Sequence, residues 1–197
     1  MRKQREIANA WPFDIDQINL YAYWDNLFDE KECNQIIKLG KSKLERAGIS
    51  KKNLINKSIR DSKIAWIFPH DENAWIFRKI TMAVTDLNKR FFGFDLWGAI
   101  EGLQFTSYQA PGQHYHKHVD RTFEGMIRKV SLTIELTDPK TYKGGDLVLY
   151  EGDEGTTPPK ARGKLIAFPS FIVHEVKPVT KGTRYSLVCW VTGPNFK

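Results

Sequence analysis

The stretch HYHKHVD, residues 114–120, places His114, His116, His118 and Asp120 at every second position. Alternate side chains of a β-strand share a face, so this spacing predicts that the four polar residues lie on one side of a strand. Each two-residue step along a strand is about 6.6 Å, and a metal–ligand bond is about 2 Å. Three successive side chains on one face of a regular strand are therefore too far apart to bind one ion. Without a bulge, the strand supplies two adjacent ligands at most: 114 with 116, 116 with 118, or 118 with 120.

The pair of His118 and Asp120 is the one that joins an imidazole to a carboxylate. A histidine from another strand would complete the two-histidine, one-carboxylate ligand set of non-haem Fe(II) sites, which leaves adjacent metal positions open. His174, in the apolar and β-prone segment AFPSFIVHEV, is the candidate, because His70 lies just before a predicted helix. The competing interpretation of His174 is a core histidine with no metal role.

Arg184 lies ten residues after His174. Its planar, permanently charged guanidinium suits the far carboxylate of a 2-oxo acid that chelates the metal. Strand alternation puts Ser186, Val188 and Trp190 on the same face, where Ser186 offers a hydrogen bond and the other two are candidate pocket walls. The alternative for Arg184 is a surface ion pair.

Two helices are predicted in the first half of the chain. Residues 28–48 carry a capping-box arrangement of Asp29 and Glu32, with Gly40 as the expected stop. Residues 71–93 have Asp71 as the expected N-cap, followed by apolar residues at helical spacing: Ile76, Ile80, Val84, Leu87 and Phe91. The segment SIRDSKIAWIF between them is extended in character.

After residue 97, short β-prone runs separated by Gly, Pro and Asp predict a sandwich or barrel. These runs are LQFTSY, KVSLTIEL, DLVLY, KLIAF and RYSLVCWV. The expected fold class is α+β in a single domain, residues 1–197, in which 1–96 supply mainly helical support and the first strands and 97–193 form the catalytic core.

The net charge is +7, but the lysines are scattered, which favours a solvated basic surface over a polyanion site. Cys33 and Cys189 stand apart, which is typical of a reduced intracellular protein. No signal-peptide pattern or long apolar run occurs, so we expect a cytoplasmic protein with no membrane partner.

Three motifs, in this order, resemble the Fe(II)- and 2-oxoglutarate-dependent dioxygenases, within them the prolyl 4-hydroxylase-like group that includes the oxygen-sensing prolyl hydroxylases. The resemblance covers roughly residues 97–193, about half the chain. The motifs are YQAPGQHYHKHVD, with Tyr108, Gly112, Tyr115, His118 and Asp120; KGGDLVLYEG, with Gly144 and Gly145; and FPSFIVHEVKPVTKGTRYSLVCW, with His174, Pro178, Arg184 and Trp190. The His-x-Asp pair alone is weak evidence for this family, whereas the three motifs in this order are specific evidence for it.

The resemblance implies a double-stranded β-helix, a jelly-roll or cupin-like core supported by N-terminal helices. It implies Fe(II) bound by His118, Asp120 and His174, and 2-oxoglutarate with its far carboxylate on Arg184 and Tyr108. Ascorbate is implied as the reductant that keeps the iron reduced. The implied reaction hydroxylates an unactivated C–H bond and decarboxylates 2-oxoglutarate to succinate and CO2.

The chain departs from the oxygen-sensing relatives in two places. Glu135 stands where they have a further tyrosine, and Thr133 is a candidate to take part in 2-oxoglutarate binding instead. The spacing between His174 and Arg184 is one residue longer than theirs and looks more like that of the wider group.

By analogy, the expected substrate is a prolyl residue in a peptide or protein. The candidate substrate residues are Arg60, His116, Arg128 and Trp190; solvent-facing or locally paired side chains are the alternative. A nucleic-acid dealkylating dioxygenase is the second hypothesis, although no interleaved aromatic and basic segment offers a nucleotide lid. A non-catalytic metal-binding β-barrel is the third, and the complete ligand set together with Arg184 argues against it.

Overall fold

Two antiparallel sheets enclose a cavity in the computed structural model, which describes residues 18–46, 56–120 and 126–195. The helices are α1, Glu30–Lys41, and α2, Ala74–Leu87. The strands are β1 Ala22–Trp24, β2 Glu45–Arg46, β3 Arg60–Asp61, β4 Lys63–Ile67, β5 Leu103–Gln109, β6 His114–His118, β7 Arg128–Glu135, β8 Lys143–Gly144, β9 Leu147–Tyr150, β10 Gly155–Thr156, β11 Leu165–Pro169, β12 Val173–Val176, β13 Val179–Lys181 and β14 Thr183–Thr192.

The larger sheet has the order β1-β11-β7-β14-β5-β4-β2, and the smaller one has the order β10-β9-β12-β6-β3. A short two-stranded sheet joins β13 to β8. Strands from the first 96 residues thus join both sheets, which supports the proposal of one domain. None of the helices in the described part of the chain is long and apolar enough to cross a bilayer.

Helix α1 begins as predicted, but it continues through Gly40 only to Lys41, and Glu45–Arg46, inside the predicted helical segment 28–48, form strand β2. The Asp29 carboxylate accepts from Glu32 N at 2.8 Å and the Glu32 carboxylate accepts from Asp29 N at 2.9 Å, which completes the capping box. Gly40 was expected to stop the helix but lies inside it. A Cβ there would lie 2.2 Å from Cγ of Phe105, so this glycine lets α1 approach β5 closely.

Helix α2 buries Ile76, Ile80, Val84 and Leu87, the apolar face that the spacing predicted. Its start differs from the prediction, because Asp71 lies in a 3-10 turn, Asp71–Asn73, ahead of the α-helix.

A π-helical turn, Asn88–Phe92, follows α2, and Gly93 in the left-handed conformation, with φ of 68°, ends it. A π turn holds more residues than an α turn and shifts the helical phase. Phe92 is therefore buried, whereas Phe91, predicted from the α-helical period, is only half-buried.

The central strands β7, β14 and β5 present opposite faces to the helices and to the cavity. Apolar residues such as Leu103, Phe105, Leu132 and Leu187 pack in the core with the helices. The alternate positions of β5 and β14 line the cavity: Gln104, Thr106, Tyr108, Arg184, Ser186, Val188 and Trp190. The α+β prediction is confirmed, and the alternation along RYSLVCWV follows the predicted pattern.

Candidate active site

His118 and His174 are direct cross-strand partners in the smaller sheet. β12 pairs with β6 so that His174 lies opposite His118 and Val176 opposite Tyr115. The segment of β6 is one residue longer than the segment of β12 that it faces, which defines a β-bulge.

The bulge breaks the alternation that was predicted for residues 114–120. Tyr115 and His118 both line the cavity, and their rings stack with centroids 3.5 Å apart. His116 is exposed and does not line the cavity. The four alternating polar residues therefore do not share one face, and this placement does not support His116 as a pocket wall.

Asp120 lies beyond the end of β6, where its backbone N–H donates to Ser170 O at 3.1 Å. Its Oδ1 is 3.7 Å from His118 Nε2, and its Oδ2 is 3.4 Å from His174 Nε2. One donor atom from each of the three residues lies within 4.8 Å of the others, the only such cluster of three or more His, Cys, Asp or Glu among the described residues. Adjacent ligands of an octahedral ion lie about 3 Å apart, so the trio fits a non-haem Fe(II) ion.

Backbone carbonyls orient both imidazoles. Nδ1 of His118 lies 2.7 Å from His116 O, and Nδ1 of His174 lies 3.0 Å from Ile172 O. These contacts assign the ring proton to Nδ1 and leave the Nε2 lone pairs directed at the space beside Asp120.

The electrostatic surroundings favour the protonation states that metal binding needs. Burial and the proximity of His174 lower the pKa of His118 to about 4, so its imidazole is neutral at neutral pH. Burial alone would raise the pKa of Asp120. The two histidines and a hydrogen bond from Ser131 lower it instead, so the carboxylate is ionised.

Ser131 is a functional candidate that the sequence patterns did not indicate. Its Oγ donates to Asp120 Oδ2 at 2.7 Å and lies 2.9 Å from Ser170 Oγ. Both serines are fully buried. The available signal was the alternation along β7 of polar Ser131, Thr133 and Glu135 with apolar Val130, Leu132 and Ile134.

The trio opens onto a cavity of about 560 Å³. Its deep end holds buried Tyr108, Arg184 and Ser186, together with Thr133. The mouth of the cavity is marked by the lining residues that are exposed to solvent: Trp66, Val119 and Met126. Arg60, Arg128 and Trp190 also line it, so all predicted site residues except His116 border this space.

Three arginines of the cavity differ in their partners. Arg184 Nε donates to Glu135 Oε2 at 2.8 Å, an ion pair that was not foreseen. Arg128 binds Glu101 with two hydrogen bonds of 2.7 and 2.6 Å, and its guanidinium lies 3.9 Å above the ring of Trp190.

Arg60 instead hydrogen-bonds two neutral groups, Ser62 Oγ at 2.9 Å and Gln104 Oε1 at 2.8 Å. It lies 4.6 Å above the ring of Tyr115. Of the three, it is the cation without a carboxylate partner among the described residues.

Residues 103–192 match the family model of the 2OG-Fe(II) oxygenase superfamily. A PKHD-type hydroxylase of Acaryochloris marina is 43% identical over 94 residues, which cover 47% of this chain and 42% of that protein. Another, of Thermosynechococcus vestitus, is 29% identical over 174 residues, 85% of this chain and 75% of that protein. The chain thus spans less than half the length of the Acaryochloris relative.

Two solved structures confirm the double-stranded β-helix with its supporting helices. A Trichoplax adhaerens prolyl hydroxylase, solved with a peptide fragment of the hypoxia inducible factor oxygen degradation domain, has a TM-score of 0.74 at 22% identity, covering 88% of this chain and 84% of that one. A Pseudomonas putida prolyl-4-hydroxylase has a TM-score of 0.69 at 21% identity, covering 89% and 94%.

Proposed function

We propose that the chain, whose residues 103–192 match the family model of the 2OG-Fe(II) oxygenase superfamily, is an Fe(II)- and 2-oxoglutarate-dependent dioxygenase that hydroxylates an unactivated C–H bond. The observation that carries the proposal is the convergence of two imidazole Nε2 atoms and one carboxylate at the wall of a cavity. That cavity has an arginine and a tyrosine at its deep end.

His118, Asp120 and His174 would hold the metal. Bound Fe(II) supplies the activation of O2, with 2-oxoglutarate oxidised to succinate and CO2 as one oxygen atom enters the substrate C–H bond. Ser131 keeps the Asp120 carboxylate in place through its hydrogen bond. The carbonyl contacts of both histidines keep their lone pairs free for the ion.

The deep end of the cavity would take 2-oxoglutarate. The guanidinium of Arg184 and the hydroxyl of Tyr108 offer donors to its far carboxylate, with Thr133 and Ser186 beside them. Val188 and Leu147 line the same space and would exclude water from the chain of the co-substrate. Ascorbate would act in solution as a reductant of the iron.

For the substrate we propose a prolyl residue in a peptide or protein, reached through the mouth of the cavity. The relatives that support this proposal are PKHD-type and prolyl hydroxylases. The cavity wall behind the mouth offers the stacked pair of Trp190 and Arg128, and the guanidinium of Arg60, which has no carboxylate partner among the described residues. We propose a cytoplasmic location.

The test is an anaerobic titration with Fe(II) and then 2-oxoglutarate, followed by visible absorbance, after which O2 is admitted and succinate is measured. Wild type should bind both and produce succinate, while Asp120→Ala should lose metal binding. Wild type that binds neither, or Asp120→Ala that keeps both, would contradict the proposal. A screen of peptides against alkylated oligonucleotides, for products one oxygen heavier, then separates a prolyl hydroxylase from a nucleic-acid dealkylating enzyme.

A further inference from the structure

Arg184 and Glu135 form a buried ion pair at the deep end of the cavity. Their bond of 2.8 Å joins Nε to Oε2, and the two residues are only 3% and 6% exposed. Burial alone would lower the pKa of Arg184, but the negative charge of Glu135 outweighs this and raises it. The guanidinium therefore stays charged, and a carboxylate of the protein already faces it.

The strand register explains why the pair forms. Glu135 on β7 lies opposite Ser186 on β14, and Arg184 lies two residues away on the same face of β14. The bond to Glu135 uses Nε, so it leaves the Nη edge of Arg184 for a ligand. Glu135 thus orients the guanidinium and also cancels its charge.

Among the described residues, Glu135 forms an ion pair with no cation other than Arg184. Its Oε1 is buried and makes no direct hydrogen bond, and the buried hydroxyl of Tyr142, a neutral group, lies beside both Glu135 and Arg184. Separating a buried carboxylate from its cation is strongly unfavourable. The pair should therefore persist when the far carboxylate of a ligand arrives.

The other cations beside Glu135 are themselves paired. Lys160 and Lys164 line a small space of about 20 Å³ next to Glu135 and Arg184. Lys160 is 2.8 Å from Asp146, and Lys164 is 2.9 Å from Asp25. A ligand carboxylate at this end would meet a guanidinium whose charge is already balanced.

We propose that Glu135 determines co-substrate specificity: because it balances the charge of Arg184, the site prefers 2-oxoglutarate only weakly over a monocarboxylic 2-oxo acid of the same length. The inference rests on the proposed function, since it concerns the 2-oxo acid of that reaction. It makes Glu135 a specificity residue that acts through Arg184.

The probes are 2-oxoglutarate and 5-methyl-2-oxohexanoate, which has an isopropyl group in place of the far carboxylate. Each is titrated by calorimetry into protein loaded with Mn(II), so that binding is measured without turnover. Wild type should prefer 2-oxoglutarate by less than about thirtyfold, given the charge balance at the site. Glu135→Gln keeps an acceptor for Nε but removes the charge, and should raise that preference on the order of tenfold.

Glu101→Gln is the matched control, because Glu101 is likewise a carboxylate paired with an arginine of the cavity, Arg128. It should leave the preference at the wild-type value. A wild-type preference above about thirtyfold would overturn the proposal even if Glu135→Gln does not fold, because Glu135 would then not be offsetting the attraction of the site for the far carboxylate. An unchanged preference in Glu135→Gln, or an equal change in Glu101→Gln, would overturn it too. Mn(II)-loaded wild type that binds neither acid would instead reject the proposed function itself.

Discussion

Removing the hydroxyl of Ser131 should weaken metal binding although Ser131 is not a ligand. Its Oγ donates to Asp120 Oδ2 at 2.7 Å, in surroundings where both residues are buried. A hydrogen bond to a charged group contributes about 1.5–3 kcal/mol. Loss of a contact that orients a metal ligand lowers metal affinity about 10- to 100-fold. Ser131→Ala is therefore expected to bind Mn(II) about 10- to 100-fold more weakly than wild type.

The assay is titration of Mn(II) followed by the EPR signal of the free ion, with urea unfolding of the metal-free protein in parallel. Ser170→Ala is the control, because Ser170 Oγ contacts Ser131 at 2.9 Å and its backbone carbonyl, which accepts from Asp120 N, is retained in alanine. This variant should lose only a few-fold in affinity. If Ser131→Ala kept wild-type Mn(II) affinity while its unfolding free energy fell, Ser131 would be a packing residue only.

Two further changes probe the deep pocket and the ligand histidine. Gly145→Ala should weaken 2-oxoglutarate binding more than Mn(II) binding in calorimetry, because a Cβ there would lie 3.0 Å from Cδ of Arg184 at a φ of 63°. Gly152→Ala, at a φ of 81° with nothing within 4 Å, controls for backbone strain and should bind 2-oxoglutarate as wild type does. For pH, His118 titrates near 4 when folded but near 6.5 when unfolded, so the unfolded chain takes up the proton first as the pH falls. The metal-free protein should then lose about 3 kcal/mol of unfolding free energy from pH 7 to pH 4 relative to His118→Gln. The unfolding free energy of both proteins is measured in urea at each pH. An equal loss in wild type and His118→Gln would contradict this prediction.

The metal ligands could be predicted because their chemistry restricts the choice. Few histidines are present, and the rise along a strand limits how many neighbours can share an ion. The predicted partners His118, Asp120 and His174 do meet in the structure. The inward face of β14 could be predicted too, since strict alternation holds from Arg184 to Trp190.

The remaining features depend on contacts between distant segments. The bulge in β6 is defined by the pairing of β6 with β12, so the sequence of β6 alone does not reveal it. The bulge turns His116 outward. Gly40 looked like a helix stop, because the ring of Phe105 that it accommodates lies in a distant strand. The bond between Arg184 and Glu135 follows from the register of β7 on β14, which no local pattern encodes.

That register links the metal centre to the co-substrate pocket. Ser131, Thr133 and Glu135 lie on one face of β7, and a slip of β7 by one residue would move all three towards the helices. Asp120 would then lose its hydroxyl donor and Arg184 its counter-ion in the same event. The apolar residues between them, such as Ile134, oppose the slip, because it would turn them from the core into the cavity. The packing of the larger sheet against the helices thus stabilises the register on which the metal centre and the 2-oxo acid pocket both depend.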